Sequence, residues 1–227
     1  MMRVDVIIPA YNEEENIELT LQTLRHQSWL ERIYVIDDGS IDQTAKVASK
    51  YADEVFRFHL NQGKAAAAIT GLRQARGEYV MLLDADLRST AKEASKLLSP
   101  LLKKEADVTI AEFPITLNGK GLGFMKRRAQ QVLFRQFYVK LFSPLSGQRA
   151  FHRKWVNYLS EDVRDSRFGF EMACNFDFLS RGAVIKEVPT FMEHHAYGKT
   201  IHGFLHRSKQ WYEMERFLWQ RTSGNLY

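Results

Sequence analysis

An apolar run that ends in acid is the feature that most limits how this chain can fold. Tyr79-Val80-Met81-Leu82-Leu83 reads as a buried strand, yet it stops at Asp84-Ala85-Asp86. A divalent cation gives such a stop a chemical reason, because hard cations take oxygen ligands. Taken alone, Asp-x-Asp also describes a solvated turn. Here it is the third of an ordered series. Val4-Asp5-Val6-Ile7-Ile8 runs into Pro9-Ala10-Tyr11-Asn12-Glu13-Glu14, and Ile33-Tyr34-Val35-Ile36 runs into Asp37-Asp38-Gly39-Ser40. Polar and acidic clusters closing successive apolar strands point to one shared crevice.

Around these runs the first 111 residues alternate strand and helix. Strands are expected at Val4–Ile8, Ile33–Asp37, Val55–Leu60, Tyr79–Leu83 and Val108–Ala111, while Ile17/Leu21/Leu24 and Ala66/Ile69/Leu72/Ala75 recur at helical spacing. That rhythm predicts an α/β fold with a mostly parallel, Rossmann-like sheet flanked by helices on both faces. Ligands bind such sheets at the carboxyl ends of the strands, where all three clusters fall. The second half is less regular. Gly119–Phe142 reads as a flexible lead-in to a long basic and aromatic helix, Ser146–Phe151 as a short strand, and Phe170–Ser180 as a helix. Ala183–Val188 reads as another strand and Gly203–Arg221 as a terminal helix. No repeat or linker breaks the series, which predicts one domain over residues 1–227 with an elaborated C-terminal portion.

The 227 residues, 45% apolar, are enough for one sizeable core and too few for two. The single cysteine, Cys174, excludes an intramolecular disulfide and fits a reducing compartment. Its apolar neighbours predict a packed thiol, not a nucleophile. The first residues lack the apolar stretch of a signal peptide, and no segment approaches the ~20 apolar residues of a membrane span. A cytoplasmic protein is expected, either soluble or peripheral on the inner face of the cell membrane. Net charge is +5, but its distribution says more. Between Phe113 and Ser160 there is no acid, while nine of the chain's 32 Lys and Arg residues lie there, leaving 23 basic against 27 acidic residues elsewhere. That block is built to meet something anionic.

Five segments in order resemble the family 2 glycosyltransferases, enzymes of the GT-A fold that use nucleotide-sugar donors. They are Pro9-Ala10-Tyr11-Asn12-Glu13, Asp37-Asp38-Gly39-Ser40-x-Asp42, Asn61-x-Gly63-Lys64, Ala75-x-Gly77 and Leu83-Asp84-Ala85-Asp86. Ile41 replaces the usual Thr of that pattern. The resemblance implies a GT-A domain whose residues 1–111 bind the nucleotide-sugar and whose residues 112–227 bind the acceptor. Pro9, Tyr11, Asn12, Glu13 and the Asp38 region would hold the nucleoside, since carboxylates accept well from uracil or ribose donors. Lys64 would reach the base or diphosphate, unless it is an ordinary lysine at a helix start. Asp84 and Ala85 would contact the nucleotide-sugar, and Asp86, with Asp84, would place Mn²⁺ or Mg²⁺ on the diphosphate, where the metal neutralises the leaving group. Asp42 either shares in this or caps the following helix. The donor is expected to be UDP-linked, with GDP open, and inversion is the family expectation.

The second half supplies three further candidates. Ser146-Gly147-Gln148-Arg149 resembles a segment of the polyprenyl-phosphate sugar transferases and glucosyl-3-phosphoglycerate synthases. Arg149 there would grip a phosphate with its planar fork, or else lie on the surface as a plain cation. Glu171, after Phe168-Gly169-Phe170, would be the catalytic base if burial raises its pKa, with Asp165 its competitor and a dipole-favoured helix Glu the simpler reading. His194-His195 follows Val188-Pro189, and the resemblance implies a His completing the metal site. His194 is preferred, and His202 is a candidate donor to phosphate.

Gly123–Phe142 interleaves Lys126, Arg127, Arg128, Arg135 and Lys140 with Phe124, Leu133, Phe134, Phe137, Tyr138, Leu141 and Phe142. Such a helix fits a membrane interface and a lipid-linked phosphate acceptor, or packs on the domain or on a second copy as a homodimer. A small soluble anionic acceptor is the alternative substrate. Nucleic-acid binding would use the same charge but leaves the acidic crevice unexplained. An NAD-binding fold is a poor match, since Gly-x-Gly-x-x-Gly is missing after the first strand, and a nucleotidyltransferase would want a basic, Gly-rich first loop, which is absent.

Overall fold

A computed structural model describes residues 3–113, 123–161, 163 and 169–193. The expected terminal helix over 203–221, together with Asp165, His194, His195 and His202, lies outside the described residues.

Strands β1 (Val4–Ala10), β2 (Leu30–Asp37), β3 (Glu54–Arg57), β4 (Tyr79–Leu82), β5 (Val108–Glu112), β6 (Arg149–His152) and β7 (Ile185–Pro189) form one sheet in the order β3-β2-β1-β4-β6-β5-β7. All neighbours are parallel except β6, which runs antiparallel between β4 and β5. Helices α1 (Ile17–Arg25), α2 (Thr44–Ala48), α3 (Lys64–Gln74), α4 (Leu98–Leu102), α5 (Gly123–Phe137) and α6 (Phe170–Ser180) cover both faces. The result is the mostly parallel α/β sheet that the alternation predicts.

Period-two side-chain alternation builds two cores, one on each side. Ile7, Tyr34, Ile36, Val80, Leu82, Ile110 and Phe151 face α3, α5 and α6. Val6, Ile8, Ile33, Val35, Met81, Leu83 and Ala150 face α1 and the stretch before α4. That stretch, Arg88–Leu97, is a 3₁₀ helix. Its buried residues Ala91, Ala94 and Leu97 repeat every three residues, the 3₁₀ period, and this signal was present in the sequence.

The structure corrects three boundaries. β3 ends at Arg57, short of the expected Leu60, and residues 59–62 form an exposed loop whose end bonds to Asp38 through the Gln62 and Gly63 N–H groups. The strand expected over Ser146–Phe151 begins only at Arg149, and Ser146–Gln148 is a loop at the crevice. The basic helix ends at Phe137 instead of Phe142, since Tyr138 takes a left-handed φ of 59°. Its buried stripe is Met125, Ala129, Val132 and Leu133, so Leu133, with Phe137 and Leu141, serves the core.

Helix α3 approaches the sheet closely at Gly71, where a Cβ would stand 2.4 Å from Ile7 Cγ2 and 2.5 Å from Ile36 Cδ1. Gly71→Ala gains about 1 kcal/mol of helix propensity. It loses about 1–3 kcal/mol to overpacking between two rigid elements. We expect a lower urea midpoint with an unchanged m-value.

Candidate active site

The three clusters meet at the carboxyl ends of β1, β2 and β4, in one crevice. The loops after β1 and β2 are joined by reciprocal bonds. The Asn12 N–H donates to Ser40 Oγ at 2.9 Å and the Ile41 N–H to Asn12 Oδ1 at 3.0 Å. Next, the Glu13 N–H donates to Thr44 Oγ1 at 2.8 Å and the Gln43 N–H to Glu14 Oε2 at 2.8 Å. Asn12 sits at φ 55°, a conformation its short amide side chain tolerates. Asp42 accepts the Thr44 N–H at 2.9 Å and the Glu14 N–H at 3.2 Å. Burial would raise its carboxyl, but the bonds from Thr44 and Glu14 outweigh this and hold it below the ordinary value. Asp42 therefore ties the start of α2 to the loop after β1.

Asp38 is buried, and its two oxygens accept the N–H groups of Gln62 at 2.7 Å and Gly63 at 2.8 Å. Those bonds aim the start of α3 into the crevice. They require Gly39, which has φ 76° and whose missing Cβ would lie 2.8 Å from the Leu60 and Asn61 backbone. Pro9 stays within β1, and Tyr11 presents a ring 45% exposed at the mouth.

Lys64, the first residue of α3, places Nζ 2.6 Å from Asp84 Oδ1 and 3.7 Å from Glu171 Oε1. Desolvation pushes its pKa down, but Asp84 and then Glu171 outweigh this and hold the ammonium above the usual lysine range. Its side chain is 38% exposed, against 21% for Asp84 and 16% for Glu171, so the cluster faces the crevice from a partly screened position. Gly147 closes over this pair. A Cβ there would stand 2.7 Å from Lys64 Nζ and 3.4 Å from Asp84 Oδ1. Glu171, at the start of α6, thus has an ammonium as neighbour, where its flanking phenylalanines led the sequence reading to expect apolar surroundings.

Asp86 lies across from Glu13. Burial raises the Glu13 carboxyl above its ordinary 4.5, the Asn16 hydrogen bond opposes this, and Asp86 and Asp84 raise it further. Ala85 is buried and its carbonyl accepts the Thr20 hydroxyl at 2.7 Å, fixing the Asp84–Asp86 turn. Thr20, Asn16 and Arg88 were missed by the motif reading. The Arg88 N–H donates to Thr20 Oγ1 at 2.7 Å and its Nε to Asn16 Oδ1 at 2.8 Å, at φ 50°. Among the described residues, no three His, Cys, Asp or Glu side chains converge as a ready metal cage. His194 falls outside those residues.

Arg149 is the site residue whose placement departs most from expectation. It is completely buried, neither on the surface nor presented to a phosphate. Its guanidinium donates to the Ser146 carbonyl at 2.8 Å and to Asn175 Oδ1 at 3.4 Å, and lies 6.0 Å from the Phe170 ring centroid. Asn175 in turn donates to the Pro144 carbonyl at 2.8 Å. Arg149 and Asn175 therefore hold the Pro144–Gln148 loop that carries Gly147. The Cys174 thiol beside them is buried and pushed up to about 12 by desolvation, as an inert packed thiol should be.

The model of the family described as glycosyl transferase family 2 matches residues 5–159, which include the three strand-end clusters, Lys64 and Gly147 but not Glu171. The chain belongs to that family. It is a glycosyltransferase of the GT-A fold. It is 30% identical over 194 residues to an uncharacterized protein of Methanocaldococcus jannaschii, covering 81% of this chain and 79% of that one. It is 27% identical to the UDP-N-acetylglucosamine–dolichyl-phosphate N-acetylglucosaminyltransferase of Methanococcus voltae, over 72% of this chain and 74% of that protein. The match to the dolichol-phosphate mannosyltransferase of Pyrococcus furiosus, at 35% identity, covers 48% of this chain and only 32% of that enzyme. In fold it resembles glucosyl-3-phosphoglycerate synthase of Mycobacterium tuberculosis, solved with Mn²⁺, UDP and glucosyl-3-phosphoglycerate, with a TM-score of 0.79, 21% identity, and coverage of 97% of this chain and 80% of that one.

Because the Glu13 carboxyl is raised, the folded state binds its proton more tightly than the unfolded state does. The sign follows from linkage: stability falls as pH rises above about 4.5, through the folded value. Glu13→Gln keeps an acceptor for Asn16 and removes the repulsion. Urea unfolding from pH 5 to 8 should show a flatter profile and a higher neutral-pH midpoint than wild type.

Proposed function

We propose that this enzyme transfers a sugar from a UDP-linked donor to a lipid-linked phosphate at its basic C-terminal face. The observation that carries the donor half is that Asp84 and Asp86 follow the end of β4 in the crevice that also holds Glu13 and Lys64, with Lys64 Nζ 2.6 Å from Asp84 Oδ1. Crowded carboxylates at strand ends are a donor set that fits a hard divalent cation. Asp86 and Asp84, completed by His194, would hold Mn²⁺ or Mg²⁺, which supplies charge neutralisation for the departing diphosphate.

The chain's own groups do the remainder. Asn12, Asp38 and Tyr11 shape the nucleoside pocket, and Lys64 fixes Asp84 while bringing positive charge to the diphosphate side. The acceptor oxygen bonds to the anomeric carbon as the carbon–oxygen bond to the diphosphate breaks, and that electron pair leaves with the nucleoside diphosphate. A hydroxyl acceptor would give its proton to Glu171, the carboxylate 3.7 Å from Lys64 Nζ on the second-half side of the crevice. A phosphate acceptor is already anionic and needs no strong base. Arg149 acts as a positioning residue beneath that loop.

The lipid reading rests on α5 and the turn after it. Phe124 is 68% exposed, Tyr138 84% and Phe142 65%, beside the exposed cations Arg127, Arg135 and Lys140. Aromatic residues and cations on one surface suit an anionic bilayer. The named M. voltae and P. furiosus relatives act on dolichyl phosphates, which favours this over a small soluble acceptor. No described helix is long and apolar enough to cross a membrane, so contact would be at the surface.

Calorimetric titration of UDP and GDP, with and without Mn²⁺, tests the donor site. Asp86→Ala should lose metal-linked UDP affinity by more than about 100-fold while keeping its fold. Undiminished Mn²⁺-linked binding would sink the metal assignment, and a preference for GDP would overturn the UDP donor. For the acceptor side, each cation near an anionic surface is worth about 1 kcal/mol. Arg127→Gln with Arg135→Gln should therefore weaken co-sedimentation with phosphatidylglycerol vesicles roughly 30-fold. Absence of vesicle binding by the parent would remove the membrane reading.

A further inference from the structure

The end of the sheet opposite the crevice holds a second cavity, which the transfer reaction leaves without a role. Its volume is about 300 Å³, at the lower end of small-molecule sites. The walls are the strand ends. Tyr79 opens β4, His152 closes β6 directly beside it, and Asp107 and Val184 immediately precede β5 and β7. At about 3.3 Å per residue, Tyr79 stands roughly 16 Å along the chain from Asp84, so the two sites are separate.

The polar lining is biased towards donors. Its acids are engaged within the protein: Glu105 pairs with Lys186 at 2.6 Å, and Asp107 accepts the Val184 N–H at 3.0 Å. Lys104 and Lys154 line the same cavity, and neither forms an ion pair among the described residues. His152 completes the set. Its Nδ1 accepts the Lys154 backbone N–H at 3.0 Å, so the proton of the neutral ring belongs on Nε2. The His152 and Tyr79 rings meet edge to face at 5.4 Å and form an aromatic wall. Lys154 Nζ lies 5.6 Å from the Trp155 ring centroid, a contact a swing of its flexible stem would give up. Two lysines and an imidazole N–H in one lining are the complement of a phosphate ester.

Lys104 adds an observation of a different kind. It ends α4 with φ 55°, its N–H donating to Leu101 O at 3.0 Å and the following Glu105 N–H to Pro100 O at 2.9 Å. That capping position favours glycine, and a residue with a Cβ is strained there. Local backbone preference therefore does not account for a lysine at this position.

We propose that this cavity binds a small, freely diffusing phosphorylated ligand through Lys104, Lys154 and His152. The test uses inorganic pyrophosphate in the absence of divalent cations, followed by calorimetry and by backbone NMR shifts. Wild type should bind saturably, with shifts centred on Tyr79, Lys104 and His152. Lys104→Gly and Lys154→Ala should each weaken binding about tenfold. Lys104→Gly should do so with an equal or higher melting temperature, because glycine relieves the strained turn, and this separates loss of a ligand contact from loss of fold. Three results would overturn the proposal: no saturable binding, unchanged affinity in both variants, or binding seen only with phosphatidic acid vesicles, which would make the ligand a membrane headgroup.

Discussion

The Lys64 ammonium, paired with Asp84 in its own half of the chain and 3.7 Å from Glu171 in the other, is the contact on which the crevice depends. Lys64 begins α3, Asp84 follows β4, Glu171 begins α6, and the loop carrying Gly147 leads into β6. Four elements distant in sequence thus converge on one ammonium. The pair is only partly screened from water, so its worth to stability is modest. Its geometric consequence is larger. With Nζ 2.6 Å from Asp84, the turn bearing Asp86 cannot shift without disturbing the base candidate on the other side. Gly147 is what allows the loop to come this close, since a Cβ would occupy the space of Nζ.

The supporting network is built mainly from backbone N–H groups and short polar side chains, which position loops at little entropic cost. Asp38 shows the logic. A buried carboxylate that accepts two backbone N–H groups is well satisfied, and those bonds orient the whole N-terminus of α3. Ser40, Thr44 and Asn12 do the same between the loops after β1 and β2. The acids of the crevice can then remain crowded, because the loops that bear them are held by other bonds. Glu13, raised by burial and by its acidic neighbours, is where that crowding is felt.

This division explains what was legible in the sequence. The parallel core was readable because its strands are continuous apolar runs and its helices bury a stripe at 3.6-residue spacing, both of which are local patterns. The crevice was readable because carboxylates at strand ends have few structural reasons to be there. Arg149 was not readable in the same way. A cation in a basic block looks like surface, and its burial is decided by Ser146, Asn175 and Phe170, two of which lie more than twenty residues away. β6 was misplaced for a related reason. Arg149-Ala150-Phe151-His152 has only two apolar residues, and what makes it a strand is the pair of neighbours, β4 and β5, that it joins.

That antiparallel strand also relates the two ends of the molecule. Opposite Leu82, at the crevice end of β4, stands Arg149; opposite Tyr79, at the far end, stands His152. A buried guanidinium tolerates little displacement, because separating it from its acceptors would leave a desolvated charge. The imidazole is likewise tied to the next turn by its bond from the Lys154 backbone. β6 is therefore a short rigid bar pinned at both ends by polar groups, with the Gly147 loop attached to one end and the basal cavity bordering the other. Were the strand parallel like its neighbours, Arg149 would face the base of the sheet, and the loop that closes over Lys64 and Asp84 would have no anchor.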